Sequence, residues 1–146
     1  MPRGPIWGTS PRESIAAECA RRGKDAVVAG CIELVRGEQS DPDLLRALAG
    51  PGVEKFYDGA EHEDDYWLRV WGLRGLLWSW DPRAAGTVCA AMADEHWRVR
   101  EMAAKVAARH LVDEATTALA DLRDDSVPRV RAAAERALVR LARADA

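Results

Sequence analysis

Two stretches of the chain, DEHWRVREMAAKVA (residues 94–107) and DSVPRVRAAAERAL (residues 125–138), align without a gap 31 positions apart. Asp94 falls on Asp125, Arg98 on Arg129, Val99 on Val130, Arg100 on Arg131 and Ala103 on Ala134. Run backward, the same shift sets Leu68, Arg69 and Gly72 over Val99, Arg100 and Ala103; it also sets Val88 and Ala91 over Leu119 and Leu122. This predicts a longer helix A, a turn, and a helix B ending in aspartate, repeated. Such a unit cannot bury its apolar face alone, so neighbours must stack to complete a core.

Helix punctuation supports the same reading, and strand alternation is rare. Ser10-Pro11-Arg12-Glu13 is a capping box with proline at the first helical position, starting a helix that should stop at Gly23. Val28, Cys31, Ile32 and Val35 are spaced for one face of a second helix, closed by Gly37. Asp41-Pro42 starts a third, short helix, and Asp81-Pro82 repeats the device. The fold class expected is all-α, a short α-solenoid of helical hairpins. Residues 1–9 are an N-terminal arm and 10–146 a single domain, in which 10–50 form a degenerate N-terminal repeat and 51–63 an irregular loop. Residues 64–93, 94–124 and 125–146 are the repeats. A chain of 146 residues is the size of one domain, which buries about two thirds of its unfolded surface.

Leu122-Arg-Asp-Asp-Ser-Val-Pro-Arg-Val-Arg-Ala-Ala-Ala, followed by Ala137-Leu138, resembles a HEAT repeat of the short bacterial, phycobilisome-lyase-like kind. Asp94 to Ala107 is a second copy. The resemblance covers residues 94–141 well and 64–93 less closely, and it implies a helical-hairpin scaffold for protein partners. In this motif Asp94 and Asp125 cap the next helix, and Arg100 and Arg131 pair with them. As partly exposed pairs these would contribute about 0–1 kcal/mol each and set register more than stability.

Advancing 100° per residue along helix A puts Val99, Met102, Ala103, Val106 and His110 on one core stripe, with Val130, Ala134, Ala137 and Leu141 on its counterpart. Beside these stripes lie Arg98, Lys105 and Arg109 in one helix and Arg129, Arg136 and Arg140 in the next. The equivalents one repeat earlier are Trp67, Arg74 and Trp78. If equivalent helices stack in register, these nine residues form an aromatic-to-basic ridge, the expected binding surface. Trp71 and Trp80, by the same wheel, belong to the core. The competing reading has Trp67 and Trp78 covered by residues 50–65 or the first helices, with Arg74 as a structural cation–π partner.

The formal charge is −3, yet residues 96–146 carry 10 basic and 8 acidic side chains against 11 and 16 in residues 1–95. That disfavours a general nucleic-acid binder and leaves a local basic surface for a protein or an acidic peptide. Arginine and tryptophan are the side chains most often energetic at interfaces, and guanidinium rows suit carboxylate or phosphate. Leu138 and Val139 lie off the core stripe of the last helix and suggest a homodimer contact there. Cys19, Cys31 and Cys89 are too few and too scattered for a disulfide frame and read as reduced core thiols of a cytoplasmic protein. No signal peptide and no membrane span are expected.

The expected function is a non-enzymatic binding or scaffold module without catalytic residues, cofactor or metal. His62-Glu63 is similar to the His-Glu pairs of the HEAT-repeat di-iron hydroxylase but occurs once. Trp78-Ser79-Trp80-Asp81, followed by Trp97-Arg98-Val99-Arg100, is loosely similar to HEAT-like DNA alkylation-repair glycosylases, which implies DNA binding or base excision as the alternative. Against it stand the chain's length, its negative charge and the ready role of Asp81 as an N-cap.

Overall fold

The computed structural model describes residues 10–38, 41–50, 53, 56 and 62–145. The expected arm at 1–9 and most of the expected loop at 51–63 lie outside the described residues. Among those described there are eight α-helices and no strand, so the all-α, helical-hairpin fold class stands. The chain divides into two compact units, Met1–Ser79 and Trp80–Ala146. The boundary runs through the repeat expected over 64–93.

The first unit holds α1 (Pro11–Arg22), α2 (Lys24–Val35), α3 (Pro42–Ala49) and α4 (Tyr66–Trp78), of which α1 and α3 start on side-chain caps. The Ser10 hydroxyl accepts the Glu13 N–H at 3.2 Å and Asp41 Oδ1 accepts the Asp43 N–H at 2.8 Å. Gly23, at φ 95°, closes α1 and opens α2 in one residue, a conformation that side chains resist. α4 ends at Trp78, with Ser79 extended as its C-cap. Trp80 is therefore off the helix, and the wheel position expected for it does not apply.

The second unit opens on a 3-10 turn, Pro82–Ala84, leading into α5 (Ala85–Ala91). There follow α6 (Trp97–His110), a second 3-10 turn at Asp113–Ala115, α7 (Thr116–Leu122) and α8 (Pro128–Ala144). α6 lies against α8, while the short α5 and α7 each pack on the long helix that follows them. Val99, Ala103, Val106, Val130, Ala134, Ala137 and Leu141 are buried as the stripes require. Met102 and His110 are half-buried instead: Met102 stands at the edge of the stripe, and His110 is the last residue of α6.

The first unit repeats this plan. α2 packs on α4, and the short α3 packs on α4 too, as the short helices of the second unit pack on a long one. α1 packs on α2, α3 and α4 as an added helix. The separations in sequence differ between the two units. Gly72 meets Val35, Leu34 and Cys31, residues 37 to 41 positions earlier, whereas contacts of α8 on α6 join residues 28 to 32 apart.

The approach of α4 to α2 depends on two glycines. A Cβ at Gly72 would stand 2.9 Å from the Cys31 carbonyl oxygen, the Leu34 Cβ and the Val35 Cγ2. One at Gly75 would collide with the Cys31 Sγ and stand 3.0 Å from the Leu48 Cδ2. Their spacing of three puts both on the same face of the helix.

The aspartate–arginine device is present in the second unit and is more buried than expected. Asp94 Oδ1 and Asp125 Oδ1 each accept an N–H two residues on, from His96 and Val127, both at 2.9 Å. Arg100 donates to the Asp94 carbonyl at 2.9 Å and Arg131 to the Asp125 carbonyl at 2.6 Å. Arg100 also pairs with the Asp125 carboxylate, and those two side chains are only 15% and 8% exposed. A pair so far withdrawn from water is costly to break from one side, unlike a surface pair.

Candidate functional site

On α4, Trp67, Arg74 and Trp78 are all half-buried. Trp67 stacks on Trp71 with centroids 6.0 Å apart and lies 5.3 Å from the Tyr66 ring; Phe56 meets Trp71 edge-on at 5.9 Å. Trp71 is thus a half-buried member of an aromatic array and not the buried core residue expected. Its spacing of four from Trp67 gives the two indoles one face of the helix. Trp78 carries the Arg12 guanidinium 5.6 Å above its ring.

Arg74 turns toward α3. Its Nη2 donates to the Leu48 carbonyl at 2.8 Å, in the last turn of that helix, where a cation complements the helix dipole. Its Nε is buried without a partner among the described residues, and burial holds its pKa below the ordinary guanidinium range. Neither indole is its hydrogen-bonding neighbour, so its local role is to close α3 against α4.

In the second unit, sequence-distant cations come together at the α6–α8 seam. The Arg98 and Arg129 guanidinium groups lie 4.5 Å and 5.1 Å from the Trp97 ring centroid. Two cations over one indole draw on the negative face of its π system. Arg129 also grips the Glu101 carboxylate with two bonds, Nε to Oε2 at 3.0 Å and Nη2 to Oε1 at 3.2 Å. Lys105 Nζ stands 3.9 Å from the same carboxylate. At the far end Arg140 donates its Nε to the Ala108 carbonyl at 3.0 Å. Arg109, Arg136 and Arg140 are exposed.

Counting only the ridge positions left out two residues that organise this seam. Trp97 is the platform for both arginines, and Glu101, 8% exposed, is the acid that holds Arg129 and faces Lys105. The signal was in the sequence: Glu101 stands three residues after Arg98 and four before Lys105, both distances that meet on a helix. The grip of Arg129 from the neighbouring helix was legible only with α6 and α8 in register.

The other candidates are accounted for by local chemistry. Asp81 Oδ1 accepts the Arg83 N–H at 2.9 Å as the cap of its 3-10 turn. Trp80 is half-buried, not core, and stacks flat on His110 at 4.5 Å with 8° between planes. His62 packs edge-on against Phe56 at 5.3 Å. Among the described residues no group of three or more His, Cys, Asp or Glu is placed to hold a metal ion. All three cysteines are free; Cys31 is buried, whereas Cys19 and Cys89 are only half-buried. Cys19 Sγ lies 3.4 Å from the Ser79 hydroxyl. No helix among the described residues is long and apolar enough to cross a membrane.

No curated protein and no solved structure matches the chain. A family model for HEAT repeats does, over residues 53–139, a span that includes α4 to α7 and most of α8. With more than half of its length matched, and with long helices stacked on long and each short helix packed on its successor, the chain belongs to the HEAT-repeat family.

Proposed function

We propose that this protein is a non-enzymatic scaffold, working in the cytoplasm, that docks an anionic protein partner on the flank of its long helices. The cations of that flank are Arg98, Lys105 and Arg109 on α6 and Arg129, Arg136 and Arg140 on α8; Trp67, Arg74 and Trp78 are their counterparts on α4. HEAT repeats commonly mediate protein–protein interaction. One observation carries the reading: α6 and α8 meet in a register that brings Arg98 and Arg129 onto the same indole and Arg140 onto the α6 backbone. Side chains held this way lose little further freedom when a carboxylate arrives, which favours association.

Affinity capture with wild type, Trp67→Ala and Arg109→Glu tests it. Both variants should lose the partner and keep the helical circular dichroism of the wild type. Retention of the partner by Arg109→Glu would remove the flank from consideration. A gel-shift titration at two salt concentrations addresses the DNA-binding alternative, because phosphate contacts produce a steep salt dependence.

The homodimer reading rests on α8, where Leu138 is half-buried and Val139 is 41% exposed. Sedimentation equilibrium of wild type and Val139→Ser checks it, with loss of dimer expected in the variant.

A further inference from the structure

The α6–α8 seam holds its own carboxylate at one level and not at the next. Seven residues are about 20° short of two full turns and rise about 10 Å, so positions seven apart repeat the same local geometry. At the first level Glu101 on α6 is seated between Arg129 on α8 and Lys105. Seven residues along both helices, Arg129 is replaced by Arg136 and Glu101 by Ala108. Lys105, four residues after Glu101, stands three before Ala108, a spacing that keeps it on the same face of the helix. Arg140 reaches the second level as well, through its bond to the Ala108 carbonyl. Arg136 is exposed and makes no hydrogen bond or ion pair among the described residues.

Resting on the flank reading above, we infer that this second level is a seat for a carboxylate supplied by an acidic segment of a protein partner. Ala108, Lys105, Arg136 and Arg140 form it. Charge complementarity argues for an anion, and the first level shows what kind: a side-chain carboxylate already lies there in the fork of an arginine from the neighbouring helix. That planar two-point fit is the preferred arginine–carboxylate geometry. Ala108 supplies no carboxylate at the second level where Glu101 supplies one at the first, and a glutamate or aspartate of a partner would complete the pattern.

The seat can be filled from within. Ala108→Glu should place a carboxylate against Arg136 as Glu101 does against Arg129. Fluorescence anisotropy at low salt with a labelled glutamate-rich helical peptide, its glutamine counterpart and labelled oligothymidylate provides the readout, and urea unfolding checks each variant's fold. Wild type should bind the glutamate peptide in preference to the other two. Ala108→Glu and Arg136→Gln should each weaken that binding about tenfold or more, with unfolding midpoints at or above the wild-type value for Ala108→Glu. Equal binding by wild type and Ala108→Glu overturns the seat, as does tighter binding of oligothymidylate or no binding of the glutamate peptide. If Arg109→Glu loses its captured partner while Ala108→Glu keeps both partner and peptide, the flank survives and the seat does not. If Arg109→Glu keeps the partner as well, the wider reading fails with it.

Discussion

Arg100 and Asp125, 25 residues apart, are joined by two parallel bonds, Nε to Oδ2 at 2.7 Å and Nη2 to Oδ1 at 3.2 Å. The same guanidinium reaches the Asp94 carbonyl, and the same carboxylate caps the turn before α8. One ion pair therefore ties the starts of two successive long helices. Removing either partner strands a charge that is mostly out of water. Asp125→Asn or Arg100→Met should each cost about 3 kcal/mol in urea unfolding, and the double replacement much less than the sum.

The same pair makes stability depend on acid. Burial pushes the Asp125 carboxyl up, but hydrogen bonds from Arg100 and the Val127 N–H, with the charges of Arg100 and Arg131, outweigh it and hold the pKa below the ordinary carboxylate value. The unfolded chain then binds the proton more readily than the native one. The stabilisation is complete above about pH 4, the unfolded value, and is lost as pH falls through the lower native one. The gap in stability between wild type and Asp125→Asn, measured from pH 7 downward, should narrow only in the acid limb.

Gly72 allows α4 to lie on α2. Gly72→Ala sets a methyl 2.9 Å from the Cys31 carbonyl, and backbone at that distance cannot swing aside as a long side chain can. A loss of about 1–3 kcal/mol is expected from overpacking, read as a lowered midpoint in thermal or urea unfolding. Gly86 has nothing within 4 Å of the added Cβ, so Gly86→Ala is the matched control and should be close to neutral.

Burial, with a smaller contribution from Cys19, pushes the Cys31 thiol up to about 12. Because the thiolate is the reactive form, Cys31 should resist a thiol reagent in the native protein at mildly alkaline pH and react only as fast as the chain opens. Cys19 is half-buried and should react ahead of it. Mass mapping of the labelled peptides over time gives the order; early labelling of Cys31 would contradict the packing of α2 beneath α4.

Glu101 competes with any anionic partner for Arg129 and Lys105. Glu101→Gln should therefore tighten binding of an acidic peptide. Arg129 is 60% exposed, so the gain is limited to about 1 kcal/mol, roughly fivefold in Kd. Isothermal titration of wild type and variant measures it directly.

What could be read in the residues was whatever repeats or caps locally. The 31-residue spacing, the Asp-Pro starts, the stops at Gly23 and Gly37 and the two apolar stripes determined the helices, their class and the register of α6 against α8, because each depends on neighbours within a turn or on an intact period. Tertiary structure alone decided the rest. It brought α2 and α3 onto α4, with Gly72 against residues 37 to 41 positions earlier, contacts that the 31-residue spacing does not contain. It turned Arg74 to the end of α3 and brought Arg129 from a neighbouring helix onto Trp97 and Glu101. A long side chain chooses its partner among groups distant in sequence, and a helical wheel, which knows only the direction in which each residue leaves its own axis, does not contain that choice.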